Sequence, residues 1–130
     1  HAARTRRGES GTPARDRVAA IYAALGLYAE AIALDQTTLE LRPQAVRARR
    51  RLTWSLLHLG RYTEAAQAAA GLAQQPAADG LSRAIARAAR ELSALDPPEA
   101  RARLAALPVF ERSEVAWLLA DIAEPRRRIE

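Results

Sequence analysis

The sequence predicts an all-α fold built from stacked helical hairpins, and three observations support this. Much of the 49% hydrophobic content is alanine, the residue that favours helices most. Aromatic residues make up only 5%, and strand-forming residues never alternate with polar ones over a useful run. Apolar residues recur at helical spacing, and one segment repeats at a fixed interval. The 130 residues are enough for one domain.

The domain boundaries follow from changes in composition along the chain. Residues 1–12 mix Arg, Gly, Ser and Thr without periodicity, which predicts a flexible N-terminal segment. Thr12 and Pro13 then form a helix start, with a capping hydroxyl followed by proline in the first turn. We therefore expect a helical repeat domain over 13–124 and a charged tail over 125–130.

The first hairpin is predicted from two helical patterns separated by Gly26. The first pattern places four apolar residues on one face, which we expect to point inward: Val18, Ile21, Tyr22 and Leu25. The second pattern ends at Pro43, and its expected inward residues are Ala31, Leu34, Thr38 and Leu41. Because the connector is short, the two helices must fold back on each other.

The second hairpin repeats the first. The segment Leu25-Gly26-x-Tyr28-x-Glu30-Ala31 returns as Leu59-Gly60-x-Tyr62-x-Glu64-Ala65, and every matched position is displaced by the same interval along the chain. We call this interval, which carries Gly26 to Gly60, the repeat offset. Leucines line the first helix of hairpin two, and its second helix is predicted to end at Gln75–Pro76. A repeat in fixed register predicts stacked copies of one structural unit.

A third hairpin and a final helix complete the predicted stack. A helical stripe runs from Leu81 to Leu95, and Asp96-Pro97-Pro98 marks a stop and restart. The turn glycine is missing here, and the spacing drifts to about 35–36 residues. A single helix over 111–124 then caps the stack, giving seven helices.

These positions resemble the tetratricopeptide repeat, a helix–turn–helix unit of about 34 residues. The matches in the first copy are Ala19, Tyr22, Gly26, Tyr28, Ala31 and Pro43. Those in the second copy are Leu52, Leu56, Gly60, Tyr62 and Ala65. The chain departs from the family pattern at Arg15 and Arg49, where a bulky residue is usual, and at Asp35 and Ala69, where an aromatic is usual.

The resemblance implies a right-handed superhelix whose first helices line a concave groove that binds peptides or partner segments. Carried over by position, the expected groove residues are Arg47, Arg50, Trp54, Leu57, His58, Arg83 and Arg90, with Asp16, Ala20, Ala24 and Ala86 beside them. Guanidinium groups next to an indole suit carboxylates, phosphates and planar groups. The equally weighted alternative is that Trp54 packs against the neighbouring hairpin and the arginines form a solvated face.

The expected function is therefore non-catalytic: an adaptor or scaffold, in a bacterial-type assembly, that binds a protein or peptide. A net charge of +5 permits an acidic partner. One alternative is nucleic-acid or regulatory binding through the basic surface Arg42–Arg51. Another is self-assembly through the C-terminal helix, using Phe110 and Trp117.

Several functional classes are disfavoured by what the sequence lacks. The chain has no cysteine and only two distant histidines, so neither a metal site nor any other cofactor is expected. None of the common catalytic signatures occurs. The longest apolar runs are too short to span a membrane. No signal peptide is recognisable, which slightly favours the cytoplasm while leaving a removed signal or anchor open.

Overall fold

The computed structural model describes residues 14–75 and 80–106. Within these ranges the chain forms six α-helices and a short 3-10 helix, without strands. The helices are α1 (14–24), α2 (Tyr28–Leu41), α3 (Val46–His58), α4 (Tyr62–Ala69), α5 (Gly80–Ser93) and α6 (Pro97–Ala105), with the 3-10 helix Leu72–Gln74 between α4 and α5. The predicted all-α class is confirmed for the described ranges.

The turns of the first two hairpins have the same backbone structure. Gly26 and Gly60 adopt φ angles of 81° and 79°, a left-handed conformation that glycine enters without a Cβ penalty. The N–H groups of Gly26 and Leu27 donate to the carbonyls of Ala23 and Tyr22, at 3.0 and 2.8 Å. Gly60 and the residue after it repeat both bonds at 3.1 and 2.9 Å. The repeated segment thus encodes a repeated turn, as its glycines predict.

The helices pack in chain order, and α3 lies at the centre of the described stack. It contacts α2, α4 and α5, whereas α4 and α5 contact each other on its other side. Every residue of α3 from Arg50 to Leu57 is buried. A helix surrounded on several sides has little surface left for a partner, and this changes the interpretation of α3.

The inward face of α1 differs from the prediction. Val18 and Ile21 are 41% and 44% exposed, and Leu25 is exposed as well. The buried residues are instead Ala19, Ala20, Ala23 and Asp16. Small side chains let neighbouring helices approach closely, so the alanine face packs inward while the larger apolar residues remain outside.

Two further helices depart from the sequence pattern. In α2 the buried face includes Asp35, whereas Leu41 is exposed. The second helix of hairpin two ends at Ala69 rather than at Gln75–Pro76. Gly71, with a φ of 83°, stops the helix there, because a left-handed residue cannot continue it.

The third hairpin keeps the repeat register longer than its sequence indicates. Ala89, which is buried in α5, lies one repeat offset after Ser55, which is buried in α3. The first residue of α6, Pro97, lies only one position further than the repeat offset from Tyr62, the first residue of α4. The drift is therefore a single insertion between the start of α5 and the start of α6. Pro97 occupies the first turn of α6, as predicted.

Some predicted features lie outside the described residues. These are the flexible segment 1–12, the capping helix 111–124 and the charged tail 125–130. The count of seven helices therefore stays a prediction. The right-handed superhelical arrangement also stays a prediction.

Candidate partner-binding site

The residues predicted to line the groove from α3 are mostly part of the core. Trp54 and Leu57 are each 1% exposed, and Arg50 is buried. Within this set, His58 is partly buried and the side chain of Arg47 is 28% exposed. The expectation that Trp54 and Leu57 face an open groove is therefore wrong. Trp54 is buried, as the alternative interpretation expects, but Arg50 is buried too, whereas that interpretation places the arginines on a solvated face.

Trp54 belongs to an aromatic group at the C-terminal end of α3. The rings of His58 and Tyr28 are stacked, with centroids 4.8 Å apart and planes 14° apart. Trp54 meets His58 edge to face, with ring centroids 4.5 Å apart. Such arrangements add to the stability gained by burying the rings. The group joins the start of α2 to the end of α3 and is a structural contact between the two hairpins.

Arg51 forms a buried ion-pair group with Asp35 of α2 and Asp16 of α1. Its Nε and Nη2 donate to the two carboxylate oxygens of Asp35 at 3.0 and 2.8 Å. Nη2 also donates to Asp16 Oδ1, and Arg47 Nη2 lies 3.5 Å from Asp16 Oδ2. A bidentate pair of this kind fixes geometry as well as charge. The group ties hairpin two to both helices of hairpin one.

The electrostatics of this group favour a permanently charged guanidinium. Burial by itself lowers the pKa of Arg51, but the charges and hydrogen bonds of Asp35 and Asp16 outweigh it. The net effect raises the pKa of Arg51 above the ordinary arginine value. The guanidinium is buried between two carboxylates that lie on α1 and α2. We assign the group a structural role.

The basic run Arg42–Arg51 does not form one exposed surface. Arg50 and Arg51 are buried. Arg49 donates to the main-chain oxygens of Ala68 and Pro43, at 3.3 and 3.0 Å. A phosphate-binding surface needs accessible cations, and these arginines are occupied by contacts within the stack. The run therefore does not offer the contiguous surface that the nucleic-acid alternative requires.

The predicted site residues of hairpin three are accessible. Arg83 and Arg90 are exposed on α5, and Arg87 is exposed between them. Successive members of this set are four and three positions apart, which places them on one helical face. We call Arg83, Arg87 and Arg90 the α5 arginine face. Ala86, by contrast, is buried.

Arg87 was not among the residues expected from the resemblance, because the resemblance carries over individual positions rather than a whole helical face. The spacing of arginines in 83–90 is itself a signal, since residues three and four apart lie on one face of a helix. The structure also brings Arg47 of α3 and the α5 arginine face onto two helices that contact each other.

Residues 14–75 and 80–106 contain no group of three or more His, Cys, Asp or Glu side chains able to hold a metal ion. None of the helices in those ranges is long and apolar enough to cross a membrane, which agrees with the sequence prediction.

No protein-family model, no curated protein sequence and no solved structure matches this chain.

Proposed function

We propose that this protein is a non-catalytic interaction module of the tetratricopeptide type, which binds an acidic segment of a partner protein along the α5 arginine face. The observation that carries the proposal is the exposure of Arg83, Arg87 and Arg90 on one face of α5. Guanidinium groups form bidentate hydrogen bonds with carboxylates, and a row of them matches a peptide with spaced acidic residues.

The contrast with hairpin two supports this choice of surface. Arg50 and Arg51 of α3 are enclosed by the stack and out of reach of a partner. The α5 arginine face instead is exposed, opposite a face that buries Ile85, Ala89 and Leu92. A rigid helix presenting exposed charges orients its donors before a partner arrives, which lowers the entropic cost of binding.

The experiment measures binding of a fluorescently labelled acidic peptide, rich in glutamate and leucine, to the full chain by anisotropy. A peptide with glutamine in place of glutamate is the ligand control. The test variant is Arg83→Glu/Arg87→Glu/Arg90→Glu. The control variant, Arg42→Glu/Arg61→Glu/Arg101→Glu, changes the net charge equally at arginines that are also exposed.

We expect the α5 variant to weaken binding at least about tenfold, since each charged hydrogen bond contributes about 1.5–3 kcal/mol. The control variant should change binding by less than about threefold. Equal losses in both variants would show non-specific attraction and would contradict the proposal. Duplex DNA that binds the same arginines more tightly than the peptide does would also contradict it, in favour of the nucleic-acid alternative.

A further inference from the structure

The outer face of α1 consists of Ala14, Arg17, Val18 and Ile21, and all four residues are exposed. Helical spacing makes them one continuous face, because Arg17 and Val18 lie three and four positions after Ala14 and Ile21 lies one turn further. Two of them are large and apolar. Exposed apolar residues occur singly on most proteins, so the face gains meaning only by comparison with the other hairpins.

The internal repeat supplies that comparison. One repeat offset later, the equivalent residues of α3 are buried: Ala48, Arg51, Leu52 and Ser55. Two repeat offsets later, the equivalent residues of α5 are buried too: Ser82, Ile85, Ala86 and Ala89. The same positions are thus covered in α3 and α5 and open in α1.

The covering element is known in both buried cases. The second helix of the preceding hairpin packs against this side: α2 contacts α3, and α4 contacts α5. The guanidinium of Arg51 binds Asp35 on α2, so this face of α3 is the one that faces α2. The outer face of α1 is therefore a third copy of the surface that receives the second helix of a neighbouring hairpin.

We propose that the outer face of α1 docks an acidic amphipathic helix supplied from outside these 130 residues. Charge defines the chemistry of the occupant. Arg17 occupies the position of Arg51, so the docked helix should carry a carboxylate where α2 carries Asp35. Small and branched apolar residues of the docked helix, one turn from that carboxylate, would cover Val18 and Ile21.

Two contacts with a second copy of this chain fit the face poorly. Two outer faces placed together would bring Arg17 of each copy into the same contact, with no carboxylate among the four residues of the face. The second helix of hairpin three, α6, offers no carboxylate at the matching position either. With its single insertion taken into account, Leu104 stands there, where α4 has Ala69 and α2 has Asp35. Charge complementarity therefore disfavours both of these contacts and favours an acidic segment.

The test uses a synthetic copy of α2 as the probe, because α2 already packs against this type of surface. The peptide spans 28–41 and carries a hydrocarbon cross-link between positions 33 and 37, both exposed in α2, since a short helix is marginal alone. Its binding to the full chain is measured by anisotropy. A second peptide carries Asp35→Arg.

The protein variants are Arg17→Glu and Ile21→Glu, both at exposed positions that tolerate change. The matched controls are Arg42→Glu and Leu41→Glu, an exposed arginine and an exposed leucine elsewhere. We expect the peptide to bind, and each outer-face variant to weaken binding at least about tenfold, the effect of one charged hydrogen bond or one buried branched side chain. Neither control should change binding more than about threefold.

The most decisive comparison exchanges the charges of the peptide and the protein. The Asp35→Arg peptide should bind the wild-type chain weakly and the Arg17→Glu variant within about threefold of the original pair. Absence of peptide binding, or binding indifferent to Arg17 and Ile21, would overturn the proposal. So would sedimentation showing a dimer of the free chain that Ile21→Glu dissociates, because the face would then belong to a second copy. None of these results depends on the α5 arginine face.

Discussion

The interface between α2 and α3 buries an ion pair, whereas the interface between α4 and α5 buries apolar residues at the same positions. Asp35 and Arg51 form the first pair. One repeat offset later their equivalents are Ala69 and Ile85, both in the hydrophobic core cluster. One backbone arrangement thus accommodates two kinds of contact.

The ion-pair interface and the apolar interface contribute differently to the fold. A buried ion pair is often no more stable than apolar residues of similar size, because both ions lose their hydration. It does, however, select its neighbour: Arg51 requires a carboxylate opposite, and α2 offers one at the position where α4 has alanine. We infer that the pair sets which hairpin lies next to which, while the apolar interface supplies hydrophobic burial.

The largest expected effect comes from removing half of the ion pair. Arg51→Met should lower the free energy of unfolding by about 3–5 kcal/mol, because the buried carboxylate of Asp35 loses the cation that binds it. Urea denaturation at neutral pH measures it. Arg17→Met, the equivalent change in hairpin one, should cost less than about 0.5 kcal/mol, since Arg17 is exposed.

A double variant sharpens this first prediction. Asp35→Ala/Arg51→Ile installs the residues of the second interface in the first, and should cost much less than Arg51→Met alone. In the double variant Asp35 is gone, and Asp16 still has a cation nearby because Arg47 Nη2 lies 3.5 Å from its Oδ2. A single-variant loss below about 1 kcal/mol would contradict the assigned role of the pair.

A smaller effect is expected from matched apolar truncations in the first helices of hairpins one and two. Leu52→Ala should cost about 2–3 kcal/mol, since Leu52 is 8% exposed and its removal leaves a cavity. Val18→Ala, at the equivalent position, should cost about 0.5 kcal/mol or less. Thermal and urea unfolding measure both. Similar losses would mean that a further element covers Val18 in solution.

The smallest effects concern the two turn glycines, where the hairpins are most alike. Gly26→Ala and Gly60→Ala should each cost about 1–2 kcal/mol in urea unfolding, because an added Cβ disfavours the left-handed conformation. At neither position would the Cβ meet an atom within 4 Å, so conformational strain is the only cost. Gly80→Ala, at a helical position without positive φ, should cause no loss. Unequal losses of unfolding free energy at Gly26 and Gly60 would contradict the structural equivalence of the two turns.

Local features of the fold could be predicted from the sequence because their causes are local. The helix–turn–helix order follows from helical spacing, and Gly26 and Gly60 mark turns because few other residues adopt their φ. The exposure of Arg83 and Arg90 was also predictable, since their helix has a clear apolar face on its other side. Gly71 could likewise have been recognised in the sequence as a helix end, because glycine adopts a positive φ readily.

The sequence by itself determined that this chain forms helical hairpins in a fixed repeat register with glycine turns, because backbone propensity and side-chain period act within a few residues. Only the tertiary structure decided which faces of those helices are inside. Trp54 became core because α2, α4 and α5 surround α3, whereas Val18 stayed outside because, among the described residues, no second helix of a preceding hairpin covers α1 as α2 covers α3. Burial depends on which neighbours arrive, and no single helix contains that information.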